Sequence, residues 1–373
     1  MKSFGQLKMS LIQKGVFIPP DVIKAPEIAC GVCSEQEGEE ISLALAENFI
    51  VKVLLQPVGK GCGKLSLQDG TTSLVSGTER IDVDIIPMPN FLKDHQKRRT
   101  PLSENSCLDG YCLNIFLRAL RQKNRLNLSQ EIILSLIRSA FEEGAADLVQ
   151  LNMDYCNEPD RGFDRLAPLV EEIKKKFSTF VALRGFPPKD IPTLDKIYAA
   201  GIDLLNFPLE GFVGPGQSKG IVKPGQVQEA LEYATGIFSP GTVWTEIHSD
   251  TDSPQRVHEK IDELTGKGIL PMLKLQKTSI SANEDYGQLE KTVHHLGQAA
   301  QRHKIPLKWL YPNCRFVTPL DTRFFTEEPE SARLNAKPVY KSRLGRKAFE
   351  GFAALRRKLR IRNISDSYES AGL

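Results

Sequence analysis

The amino-acid sequence predicts an α/β fold: a partial TIM-type (β/α)6 barrel, preceded by a small β-rich N-terminal domain and followed by a basic helical C-terminal arm. Three observations carry that expectation. From Cys112 onward, short apolar runs alternate with amphipathic stretches at intervals of roughly 25–40 residues, the pattern of βαβ units on a parallel sheet. Period-two and short apolar runs separated by glycine turns fill residues 41–89. Between Arg333 and Arg362, eleven lysines and arginines stand against one acid, a net of +10; with +3 for the whole chain, the remainder carries −7.

Composition sets the outer limits. The chain has 373 residues, 40% hydrophobic and 25% charged, which excludes a disordered tail, a collagen-like repeat and a disulfide-stapled miniprotein. No apolar run approaches the about 18 residues that a membrane helix needs, and the first residues lack the apolar stretch of a leader peptide. Seven scattered cysteines without an export signal are expected as reduced thiols or metal ligands in a cytoplasmic protein.

Element by element, the expected domains are 1–105, 106–325 and 326–373. Residues 1–40 are weakly patterned and broken by Pro19-Pro20. Strands follow in ISLALAENFIVKVLLQPV, GKLSLQDG and RIDVDIIPMP, and 90–106 reads as a polar linker. CLNIFL (112–117) opens the barrel, and Ser129 caps the helix behind it, which Gly144 closes. Strands DLVQLN, FVALR, LLNFPLE, VWTEIH and LPMLKL each lead into a helical stretch, the helix after VWTEIH starting at Pro254 behind Ser253. PLKWLYP (306–312) reads as a seventh strand.

Barrel chemistry gathers where the strands end. The polar residues there are Asn152, Asp154, Arg184, Asn206, Glu210, Glu246, His248, Lys274 and Lys277. Glu246 and His248 alternate along one strand and share a face, so they are candidates for general acid–base work or for a structural hydrogen bond. Lys274, at another strand end, has the position of a Schiff-base lysine, which requires desolvation; otherwise it is a lysine reaching for solvent. Glu246, His248 and Lys274 form the catalytic candidate set.

DLVQLN, PDRGFDRLAPLVEEIKKKF, PPKDIPTLDKIYAAGIDLLNFPLE, KPGQVQEALEYA and DELTGKGILPMLKL follow one another in an order that resembles the biotin-synthase-like branch of the radical S-adenosylmethionine superfamily, over roughly residues 107–312. The resemblance implies a partial barrel with a 4Fe–4S cluster and S-adenosylmethionine at its mouth. Glu210 matches an acidic residue that meets the cofactor in that family, and Asn152 and Asp154 join it as cofactor-binding candidates. The family's CxxxCxxC motif is not intact: the loop 118–128 holds no cysteine, and Cys107, Cys112 and Cys156 are the nearest substitute ligands. The chain therefore reads as a degenerate member, a non-canonical or non-catalytic binding or partner subunit, or one that keeps a small-molecule site in the barrel mouth. Two alternatives stand beside that reading: a divergent cluster enzyme on Cys107, Cys112 and Cys156, and a cluster-free barrel lyase using Lys274.

Other signals are weaker. Cys30, Cys33 and Cys62 supply three of the four ligands of a closed zinc site. GKGCGK (59–64) lacks the ending of a phosphate-binding loop, and His294-His295 is expected at a helix surface. In the arm 333–362, Phe349, Phe352, Leu355 and Leu359 fall at helical spacing among cations. The plainest expectation is docking on the chain's own barrel, then a protein partner, with nucleic acid unsupported.

Overall fold

The computed structural model describes residues 3–35, 38–46, 49–97, 104–120, 125–157, 160–209, 222–249, 253–275, 286–310, 314–325, 351 and 355. Helix α1 (Phe4–Lys14) opens on a capping box in which Ser3 and Gln6 satisfy each other's backbone amides. After β1 (Val16–Phe17) and the single turn α2 (Pro26–Ala29) come β2 (Val32–Glu35), β3 (Gly38–Ala46), β4 (Phe49–Gln56), β5 (Lys64–Gln68), β6 (Thr71–Ser76), β7 (Glu79–Asp82) and β8 (Asp84–Ile85). They form one mixed sheet in the order β2-β3-β4-β1-β5-β6-β7, with β8 on β3. Asp69-Gly70, both at positive φ, make the tight turn between β5 and β6.

Helix α3 (Asn90–Lys97) replaces part of the expected linker. Phe91 and Leu92 are buried, and the Glu143 carboxylate accepts from the Asn90 and Phe91 amides at 2.8 Å each. A distant side chain thus caps this helix, which local sequence could not reveal.

The second sheet starts with the hairpin β9 (Ser106–Asp109) and β10 (Cys112–Leu117), and a two-stranded ribbon follows, β11 (Ala119–Leu120) with β12 (Arg125–Leu126). Then α4 (Gln130–Glu142), β13 (Leu148–Met153), α5 (Phe163–Lys176), β14 (Phe180–Arg184), α6 (Thr193–Ala200), β15 (Leu204–Asn206), α7 (Pro224–Thr235), β16 (Val243–His248), α8 (Pro254–Gly266), β17 (Leu270–Lys274) and α9 (Tyr286–Arg302) alternate. The sheet order is β17-β16-β15-β14-β13-β10-β9, and every strand after β9 is parallel to its neighbour. Sequential parallel strands with a helix after each produce a curled half-barrel.

Strand alternation assigns the two faces. Leu113, Ile115, Val149, Leu151, Val181, Leu183, Leu205, Val243, Ile247 and Leu273 join the helix core. The opposite, concave face carries Leu148, Phe180, Ala182, Leu204, Trp244, Leu270 and Met272 toward the strand starts. Trp309, Leu310 and Leu320 close that layer, with Trp309 edge-on to Phe180. Residues 306–310 are therefore a plug and not the expected seventh strand; among the described residues nearby, Val317 alone makes a bridge, with Leu273.

The two sheets are tied together by buried charge. Lys8 of α1 meets Asp321 at 2.5 Å, both fully covered. Arg315 reaches Glu40 of β3 at 2.7 Å and Asp109 of β9 at 2.9 Å, and Lys52 of β4 also meets Asp109 at 3.3 Å. No helix among the described residues is long and apolar enough to cross a membrane. The basic arm falls outside the described residues except for Gly351 and Leu355.

Candidate functional site

Above the apolar layer, the concave face turns polar toward the strand ends. Asn114 of β10 and Gln150 and Asn152 of β13 form an amide cluster. Gln150 Nε2 donates to Asn114 Oδ1 at 2.7 Å and to Asn152 Oδ1 at 2.9 Å, while Asn152 Nδ2 donates to Asn114 Oδ1 at 3.0 Å. Asn114 Nδ2 in turn reaches Asp109 at 3.2 Å.

Beside this cluster, Arg184 at the end of β14 grips Glu246 of β16 with two parallel bonds, Nε to Oε1 at 2.5 Å and Nη2 to Oε2 at 2.7 Å. Asn206 of β15 donates through Nδ2 to the same Oε1 at 2.7 Å. Burial alone would raise the pKa of Glu246, but Arg184, Asn206 and the nearby charge of Lys274 outweigh it and hold the carboxyl below its ordinary value. Glu246 is thus a buried carboxylate with its oxygens committed.

Asn206 leaves one atom over. Its Oδ1 is buried and has no hydrogen-bond partner among the described residues. Rotating the amide would only turn this acceptor against the Glu246 carboxylate, so the carboxylate fixes which way it points. A buried acceptor without a donor costs on the order of 1–3 kcal/mol.

His248 and Lys274 lie in register at the rim, two residue pairs beyond Glu246 and Met272 and on the same face. His248 is half-buried and Lys274 exposed. The expected Glu246–His248 pair is corrected in this respect: they share a face, but the Glu246 hydrogen bonds go to Arg184 and Asn206. Lys274 likewise lacks the desolvated setting of a Schiff-base lysine. Asp154, past the end of β13, pairs with Arg118 at 3.0 Å, and burial raises its pKa against that pairing. Glu210 and Lys277 lie outside the described residues.

The three candidate cluster ligands do not converge. Cys112 is the first residue of β10 and pairs with Leu148, the first residue of β13; Cys107 lies on antiparallel β9 beside Asn114. Cys156 follows Met153, the last residue of β13. At about 3.3 Å per residue, the length of β13 alone separates Cys112 from the level of Cys156 by roughly 16 Å. Burial, reinforced by Asp109, pushes the Cys112 thiol well above its usual range, the opposite of what a thiolate ligand needs. Cys30 and Cys33 donate to the carbonyls of Glu27 and Glu40. Among the described residues no group of three histidines, cysteines or carboxylates is placed to hold a metal ion.

Two cavities lie away from the strand ends. One, of about 390 Å³, separates the mixed sheet from the β9–β10 edge and is lined by Lys52, Met88, Leu92, Cys107 and Tyr111 among others. The Lys52 ammonium in its wall is committed to Leu108 and Asp109. The other, of about 420 Å³, lies over β6 to β8. The concave polar layer, with its convergent side chains and its unpartnered buried acceptor, is the stronger candidate site.

No protein-family model and no curated protein matches the chain. Solved structures similar to it include a Yersinia pestis dihydropteroate synthase with a pterine–sulfa conjugate, at 14% identity and TM-score 0.31, covering 63% of this chain and 74% of that one. Another is the Xanthomonas albilineans dihydropteroate synthase with 4-aminobenzoic acid, at 14% identity and TM-score 0.31, covering 66% and 84%. The same enzyme with indole-2-carboxylic acid and 6-chloroguanine matches at 12% identity and TM-score 0.30, covering 67% and 84%.

These findings correct the radical S-adenosylmethionine resemblance. No family model supports the assignment, and among the described residues the cysteines do not meet on one metal site. The readings built on it, a degenerate partner subunit and a divergent iron–sulfur enzyme, are withdrawn with it, as is the lysine-based lyase.

Proposed function

We propose that this protein binds a small polar molecule on the concave face of its half-barrel, at the ends of β13 to β17. The half-barrel is read as a partial (β/α)6 barrel over 106–325, with 1–105 as its β-rich companion. The observation that carries the proposal is Asn206 Oδ1, a buried acceptor held in position by Glu246 and left without a donor. A ligand N–H or O–H would satisfy it. Arg184 and Glu246 neutralise each other and set the floor, the amides of Asn114, Gln150 and Asn152 extend the polar surface, and His248 and Lys274 stand at the rim where ligand enters.

The test is thermal unfolding of the full chain against a panel of small molecules carrying amide, amine or hydroxyl donors. A ligand of this site at ten times its Kd stabilises the fold by about 1.4 kcal/mol. The stabilisation should disappear in Asn206→Leu, which keeps the shape but removes the acceptor. Stabilisation that is undiminished in Asn206→Leu, or a panel with no stabilising member, contradicts the proposal.

A further inference from the structure

A second unsatisfied group lies on the loop between β13 and α5. Arg161, with φ of +54°, is 8% exposed, and its guanidinium stands 5.7 Å from the centre of the Tyr155 ring. Nη1 donates to the Pro187 carbonyl at 2.5 Å, which ties this loop to the one after β14. Nε is buried and has no partner. Arginine cannot shed its charge in a protein, so a covered guanidinium needs either a counter-charge or full hydrogen bonding. Arg161 has neither: no carboxylate pairs with it among the described residues, whereas Arg184 is answered by Glu246 and Arg118 by Asp154.

The molecule itself shows what the vacant edge fits. Arg184 holds the Glu246 carboxylate with Nε and Nη2, side by side. Arg161 has spent Nη1 on a carbonyl, and its Nε–H lacks an acceptor among the described residues, so the Nε edge of its fork is the one an oxyanion would take. Two parallel N–H groups match two oxygens of a carboxylate or a phosphate.

We infer that Arg161 is an oxyanion receptor, and that it takes the carboxylate or phosphate group of the small molecule bound at the strand ends. The inference rests on the proposed concave-face site for its ligand, and its chemistry is separate from the acceptor at Asn206. Tyr155, itself edge-on to Phe186, offers the guanidinium an aromatic ring as one wall.

The test follows the arginine Nε–H resonances of the full-length protein by nitrogen-15 NMR while sodium phosphate or sodium acetate is titrated at constant ionic strength. Arg161→Lys assigns the resonance and, through its circular dichroism, reports on folding. The Arg161 signal is expected to move saturably, with a Kd of about 1–10 mM, while Arg184, locked on Glu246, stays still. A response to phosphate alone or to acetate alone identifies the group recognised. Followed through the backbone amides of Tyr155 and Gly162, which report in both proteins, the anion affinity is expected to fall at least about tenfold in Arg161→Lys, because an ammonium lacks the planar fork. An Arg161 signal that does not move with either anion, or moves no more than Arg184, overturns the inference, as does unchanged affinity in a folded Arg161→Lys. If the donor panel fails at Asn206 while Arg161 responds, the receptor stands and the concave-face reading falls. If the panel succeeds and Arg161 is silent, only the receptor falls.

Discussion

Asp109 is expected to make the protein acid-sensitive in a way that one substitution removes. The Asp109 carboxylate accepts from Arg315, Lys52 and Asn114, and so joins the C-terminal segment, the mixed sheet and the half-barrel. Burial pushes its pKa up, but Arg315 and Lys52 outweigh burial and bring it from 3.8 to about 2. At 1.36 kcal/mol per unit, that difference is about 2 kcal/mol of folding free energy. The folded pKa is the lower one, so this stabilisation is complete above the unfolded value and is lost as pH falls from there toward 2. Asp109→Asn should therefore be less stable than wild type by about 2 kcal/mol at pH 7, with the gap closing near pH 2. Urea unfolding followed by the fluorescence of Trp244 and Trp309, both in the concave cluster, measures it. A gap that stays constant across this range would show that Asp109 acts through shape and not through charge.

Three further outcomes follow from the same structure. Glu246→Gln leaves the guanidinium of Arg184 buried without its counter-charge and should destabilise by roughly 3–5 kcal/mol in denaturant unfolding, with Arg184→Gln in addition recovering part of the loss. Gly241→Ala places a Cβ 2.2 Å from the Pro306 carbonyl oxygen at φ +78°, and should lower the melting temperature through a strain of at least about 1–2 kcal/mol. His258 of α8 stacks on His295 of α9 at 4.3 Å, with Asp262 and Arg302 beside the pair, and burial together with His295 lowers the pKa of His258 below 6.5. Because the unfolded chain binds that proton more readily, melting temperature should fall as pH drops below 6.5, and the fall should be smaller in His258→Gln.

Much of the fold can be read in the chain because local physics decides it. Each barrel strand from CLNIFL to LPMLKL is a compact apolar run, and each helix behind it has its own stripe, so β10 and β13 to β17 emerge from periodicity alone, whereas the β11–β12 ribbon lies in a stretch that reads as a loop. Helix α3 could not, since its N-terminal amides are capped by Glu143, 52 or 53 residues away. Trp309 and Leu310 read as strand because apolar runs look alike whether they pair or plug; only the neighbouring concave layer separates the two. At the site, Arg184, Asn206 and Glu246 were marked by their strand-end positions, yet their mutual bonding depends on the stagger between strands. Asn114 and Gln150 escaped notice because they sit mid-strand, three residues before the strand ends where Asn152 and Asn206 were marked. Nothing in the sequence around Arg161 marks it, and only its burial near Tyr155 gives it meaning. The cysteines misled for a positional reason: Cys112 begins its strand, and a residue that begins a parallel strand stands at the opposite end from the chemistry.

The most direct measurement is the position of a bound molecule, from a crystal of the protein soaked with the strongest stabiliser in the donor panel. The account predicts that molecule on the concave face, with a donor about 2.7–3.2 Å from Asn206 Oδ1. A molecule seated instead in the cleft lined by Met88 and Cys107, with Asn206 Oδ1 still unpartnered, would contradict it.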